Sequence, residues 1–331
     1  MQGPAPEPLA RLSNRTPIVY GALGAVFHLE PLAAEDEARL DAVNTMVWDW
    51  IGPALVHASL SCAERPEPVR RAHLDYIATH CANLGVAPVP GGGPEDQKIS
   101  ANLVRLGRDE MSVVCSGSRD PFEASPYSYR FWAEIGDLPE GSDALHLPAH
   151  AVLHLTVPET WPLADFHARI SAIAAKLRLR WGAAGYTFSD CEAQNYQAPA
   201  AAIYAHARRY WGYDVAEYIR LTEAFSRRIR TVSWLTWLGP SMLDELRARG
   251  GLGASRLSTR TGSGGGVLIQ AGGAPERGDV NRRQVPAAYR EVDALVRPLR
   301  AASGADLPFF APWDEVSIER WLRRFEVLGG P

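Results

Sequence analysis

The chain has 331 residues, of which 46% are hydrophobic and 22% charged. That length and composition allow a buried core in one large domain or two ordinary ones and exclude a disordered chain. No run approaches the roughly eighteen apolar residues of a membrane-spanning helix.

The formal net charge of −4 is unevenly spread. Residues 1–200 carry 15 basic and 24 acidic side chains, whereas residues 201–331 carry 19 and 14. An acidic front portion argues against nucleic acid as its direct ligand, because phosphate contacts need Lys and Arg. It suits a basic protein partner, since complementary fields steer association. The opening MQGPAPEPLARLSNRTP has no apolar h-region, so a cytoplasmic protein is expected. Residues 1–16 read as a flexible Pro-rich arm and 17–331 as one domain; if it has two lobes, the Pro/Gly-rich stretch 85–97 is their boundary. Cys62, Cys81, Cys115 and Cys191 form no CxxC pair, so reduced buried thiols are expected.

In chain order, PIVYGALGAVFHLE at 17–30 reads as a strand. A helix follows, with Leu40, Val43, Val47 and Trp50 at helical spacing. Glu35, Asp36 and Glu37 fall in its first turn, where the helix dipole favours negative charge. Residues 68–85 predict a second helix ending at Gly85. Residues 99–116 predict a β-hairpin, and 127–135 and 149–157 alternate as strands. Phe166, Ile170, Ile173, Leu177 and Trp181 predict a helix from Pro162 to Gly182. YTFSDC and AAAIYAHARRY read as strands. A helix is then expected from Asp214, with Glu217 completing a capping box. TVSWLTWLGPSMLDEL, 231–246, predicts a strand over 231–238 and a helix over 240–249. Pro240 sits at the first helical position, where its missing N–H is harmless. A glycine-turn hairpin over 255–271 and two C-terminal amphipathic helices complete the chain. The fold class is α+β: a mixed, largely antiparallel sheet or sheets with amphipathic helices packed on them.

The search for chemistry returns little. His150 and His154 share a strand face but stand about 13 Å apart, too far for one metal. GSGGGV at 262–267 lacks the Gly-Lys-Ser/Thr ending of a phosphate loop. There is no GxSxG, HExxH or strand–GxGxxG–helix pattern. Neither catalytic residues, metal ligands nor a cofactor site are predicted. RRYWGYD is the best contact candidate, because Arg209, Tyr210, Trp211 and Tyr213 are the residue types that anchor protein interfaces.

The order of segments resembles the type VI secretion immunity family. The marks are YRFWAEI at 129–135, HARRYWGYD at 206–214 and, above all, RTVSWLTWLGPSMLDEL at 230–246. The chain departs from the family pattern at Trp211, where a proline is expected before Gly212. The resemblance implies an immunity protein that is not an enzyme. It would bind one cognate toxin effector, often a DNA-cleaving nuclease of the restriction-endonuclease-like class, and neutralise it in the cytoplasm. Neither nucleic acid nor membrane is then a partner, and a homodimer is left open. The residues of this chain expected to contact the toxin are Glu35, Asp36 and Glu37, whose charge suits a basic DNA cleft, and Arg209, Tyr210, Trp211 and Tyr213. Two rivals remain at this stage. One is an α+β enzyme or small-ligand protein using Cys191, His206 and Asp190, if the strands at 186–191 and 198–206 pair. The other is an adaptor that loads an effector onto the secretion apparatus.

Overall fold

Residues 17–29 carry apolar side chains on both faces, a pattern suited only to a strand with neighbours on either side and cover above and below. The computed structural model of the protein describes residues 6–60, 66–80, 110–135, 149–191, 197–215, 228–250, 258–261, 265–300 and 313–326. In it the strands are β1 Ala10–Arg11, β2 Pro17–Leu29, β3 His57–Leu60, β4 Glu67–Pro68, β5 Glu110–Ser116 and β6 Ser128–Ile135. They continue with β7 Ala149–Pro158, β8 Leu179–Asp190, β9 Leu235–Leu238, β10 Ser258–Thr261 and β11 Val267–Gln270. The α-helices are α1 Glu37–Ile51, α2 Arg71–Leu74, α3 Leu163–Ala174, α4 Gln197–Arg209, α5 Pro240–Ala248, α6 Ala287–Val296 and α7 Glu315–Leu322.

One sheet runs in the order β10-β11-β9-β8-β2-β7-β6-β5-β3-β4, with β1 beside the start of β2. Every ladder among the described strands is antiparallel, as expected for this α+β class. The central strand is β2, paired with β8 from Val19 to Leu29 and with β7 from Ala22 to His28. The stripe of α1 formed by Leu40, Val43, Val47 and Trp50 is buried in the main core, together with Phe166, Ile170 and Ile173 of α3. Trp50 meets Phe166 and Trp161 edge-on or tilted at 6.2 and 5.9 Å, joining the two helices. A second, smaller core lies where α4 and α7 meet the start of β2 and the end of β8, around Ile18, Val19, Phe188, Ile203 and Trp321. Among the described residues, no helix is long and apolar enough to cross a membrane.

Several predicted elements move. Residues 198–206 are not a strand but the body of α4, because Ala200, Ile203 and Ala207 are buried at helical spacing. The helix opening at Pro162 ends at Ala174, and Trp181 and Gly182 lie within β8 instead. Trp181 stacks on His28 of β2 at 4.0 Å. The helix expected from residue 68 is only α2 and a short 3-10 turn, Ala78–His80; residues 81–85 lie outside the described residues. Residues 99–109, 216–227 and 262–264, where a hairpin arm, a helix body and a glycine turn were expected, also lie outside them, as does the 85–97 stretch. The strand expected over 231–238 is laddered only at Leu235–Leu238, and the preceding Thr231–Trp234 is buried ahead of that strand. Gly239 follows with ordinary negative φ, so its backbone freedom is not what matters. Its N–H bonds Arg180 O at 2.8 Å, and an added Cβ would sit 1.7 Å from Leu179 O. The chain passes too close to β8 for any side chain there.

The far face of the sheet centre is polar. Arg130 lies opposite His154, and His154 opposite Val26; Ser128 lies opposite Thr156, and Thr156 opposite Gly24. All four polar side chains are buried. Burial and the neighbouring Arg130 charge push the His154 imidazole down to about 3. His206 on α4, packed among aromatic rings, is pushed down to about 4 by desolvation and then by Arg277 and Arg209. A histidine whose folded pKa lies below its unfolded value of about 6.5 stabilises the fold above that value and loses the contribution as pH falls. Between pH 7 and pH 5 His154 alone should remove about 2 kcal/mol of folding stability, and half-buried His206 a smaller part screened by solvent. Urea midpoints measured at pH 7, 6 and 5 check this, and a flat profile would show that neither ring is shielded as described.

Candidate partner-binding surfaces

The RRYWGYD segment is built by three attachments. At the end of α4, Arg209 grips the buried carboxylate of Asp279 through Nε and Nη, the shortest contact being 3.0 Å. That guanidinium holds Asp279 below the ordinary carboxylate range. Gly212 then donates to Arg277 O at 2.8 Å, and an added Cβ would lie 1.8 Å from Glu276 O. Only glycine fits this close approach. Finally, Tyr213 is buried and donates its phenol hydrogen to Glu159, which also pairs with Arg277. Burial and the Glu159 charge hold the Tyr213 hydroxyl in its neutral form, its pKa raised well above the usual phenol value. The carbonyl of half-buried Trp211 accepts from Arg324 Nε at 2.7 Å. The four predicted contact residues are therefore brought together, but only Arg209 and part of Tyr210 and Trp211 reach solvent; Tyr213 faces inward.

The three acidic residues lie elsewhere, where a 3-10 turn, Ala34–Asp36, leads into α1. Asp36 is buried, accepts the Ala33 N–H at 3.0 Å and pairs with Arg178 at 2.9 Å. Glu35 reaches the same guanidinium at 3.4 Å with its side chain 68% exposed, and Glu37 is exposed. Asp36 thus anchors the turn to the chain entering β8, while Glu35 and Glu37 stay available at the surface.

The strand pairing that would cluster Cys191, His206 and Asp190 does not form, because residues 198–206 are helical. Cys191 and Asp190 are buried at the end of β8, and Asp190 pairs with Arg130 at 3.1 Å. His206 instead lies against Phe188, Tyr210 and Tyr213, with ring centroids 4.6 to 5.6 Å away. Among the described residues, no group of His, Cys, Asp and Glu could hold a metal.

Sequence reasoning missed a layer of buried charge. Arg230 and Asp214 pair at 2.8 Å with side chains 1% and 7% exposed. Arg324 lies 3.7 Å from the Trp321 ring centroid and 4.5 Å from that of Phe325, and donates to Thr231 Oγ1 at 2.9 Å. Burial pushes the Arg324 guanidinium down to about 9. The signal for this layer was arginine within otherwise apolar stretches such as YRFWAEI and RTVSW, but nothing in a single segment names the partner.

A family model described as Type VI immunity for VRR-NUC matches residues 90–325, which span β5 to α7 and include the RRYWGYD segment. A solved structure of a Pseudomonas aeruginosa T6SS protein superposes with a TM-score of 0.63 at 18% identity, covering 95% of this chain and 86% of that one. That likeness is one of fold. No curated protein matches the chain.

Proposed function

The chain belongs to the family described as type VI immunity for VRR-NUC, and from that membership we propose how it acts. It binds its cognate toxin, a DNA-cleaving nuclease effector, in the cytoplasm and blocks it by direct contact, with no catalysis of its own. The observation that carries this reading is the family match, which covers most of the chain. The two exposed surfaces add support. A DNA-cleaving site is flanked by basic groups that grip phosphate, and the exposed Glu35 and Glu37 carboxylates offer such groups an alternative partner. The RRYWGYD segment supplies a rigid aromatic and arginine anchor of the kind that dominates interface energetics.

The experiment is titration of the toxin's DNA cleavage with the purified chain, alongside the double variant Glu35→Lys/Glu37→Lys. The wild type abolishes cleavage near one equivalent. The variant weakens binding about tenfold, chiefly through a slower association that is sensitive to salt. Unchanged affinity in the variant would remove the acidic turn from the interface while leaving the immunity role intact.

A further inference from the structure

Around His206 the structure holds a ladder of four aromatic rings with an arginine at each end. Arg209 lies 5.0 Å over the Tyr210 ring, and Tyr210 lies 4.6 Å from the His206 ring. His206 is 5.0 Å from Tyr213, Tyr213 is 5.3 Å from Tyr186, and Arg277 closes the ladder 5.2 Å over Tyr186. One turn back on α4, Arg208 covers Tyr204 at 5.3 Å. Arg282, 3.7 Å from the Asp279 carboxylate that also binds Arg209, extends the ladder outward.

The charges in this ladder are sorted by depth. The carboxylates of Asp279 and Glu159 are turned in, with side chains 9% and 19% exposed. The guanidiniums of Arg209, Arg277 and Arg282 are turned out, at 45%, 52% and 72%. Glu276 is the exposed acidic side chain of the same loop. Tyrosine faces and buried carboxylates fix three of the arginines from behind, so little side-chain entropy remains to be lost when their outer N–H groups meet a ligand. Guanidinium forks held in this way match carboxylates in paired hydrogen bonds.

We propose that this arginine face is a second contact with the toxin and that it takes an acidic segment of that protein, through Asp and Glu carboxylates. The inference rests on the immunity reading and adds a surface of opposite sign to the acidic turn before α1. A nucleic acid is the less suitable ligand. Base stacking needs open ring faces, whereas Tyr213 is buried and Tyr186, Tyr204 and Tyr210 each carry a guanidinium on one face.

The test is the double variant Arg208→Glu/Arg282→Glu, two exposed side chains; Arg282 makes only the longer, 3.7 Å contact to Asp279, whose closer partner Arg209 is kept. Calorimetric titration is run against catalytically inactivated toxin, with the thermal midpoint of each protein measured first. The expected result is an unchanged midpoint, a toxin affinity about tenfold or more weaker, and a shallower salt dependence than the wild type; Arg208→Lys/Arg282→Lys should recover most of the loss. An affinity within about twofold of wild type, at an unchanged midpoint, would overturn the proposal. So would a labelled DNA duplex that the wild type binds and the Glu variant releases, since that would make the face a phosphate site. Failure of the wild type itself to bind the toxin would overturn the immunity reading, and this inference with it.

Discussion

Asp214→Ala lowers the folding stability by about 3–5 kcal/mol, read as a fall in the urea unfolding midpoint at pH 7. Asp214 neutralises Arg230 through two hydrogen bonds, at 2.8 and 3.0 Å, in a layer almost closed to water. Burial already lowers the Arg230 pKa despite that partner, so desolvation there outweighs the pairing. Removing the carboxylate leaves a guanidinium buried beside a second one, Arg324, which is fully buried too. The Asp214 backbone is tied in as well, since its N–H bonds Tyr186 O and its carbonyl accepts from Thr187 Oγ1. Alanine keeps those bonds, so the loss isolates the charge. The double variant Asp214→Ala/Arg230→Met should recover much of the stability, because removing both charges removes the desolvation cost. A single-variant loss under about 1 kcal/mol would mean that water reaches the pair.

Trp234→Ala costs a similar amount, about 3–5 kcal/mol, by leaving a cavity in the main core. Trp234 is 2% exposed, its indole N–H donates to Gly272 O at 3.2 Å, and its ring lies 5.6 Å from His167 of α3. Its carbonyl also accepts the Ala271 N–H at 2.7 Å, which ties the residue before β9 to the end of β11. The residue sits in the segment that most plainly marks the family, yet it touches no outer surface. Any folded fraction of the variant should therefore bind toxin normally. A stable Trp234→Ala protein that had lost only toxin binding would place this residue in the interface.

Most of the sheet could be read from the chain because its strands alternate or are apolar on both faces, and those periods survive folding. The α4 helix could not. In QAPAAAIYAHARRY nearly every position is small or apolar, so periods of 2 and 3.6 fit equally until Ala200, Ile203 and Ala207 are seen to be buried. Trp181 misled for the opposite reason. It continues the helical spacing of Phe166, Ile170 and Ile173, but it also alternates with Leu179 and Ala183, and the strand wins. The contact candidates were legible as residue types and not as orientations. Tyr213 and Asp36 turn inward because Glu159 and Arg178 await them, and both partners are far away in sequence. The polar face around Arg130 and His154 depends on the order and register of β6, β7 and β2, which no single segment encodes.

Survival of cells co-expressing the cognate VRR-NUC toxin with this chain tests the central claim most directly, with complex formation scored from the same culture. Immunity by direct contact requires full survival and intact chromosomal DNA, with toxin and chain recovered as a stoichiometric complex. Death of those cells, or cleavage that continues with saturating chain present, would contradict it.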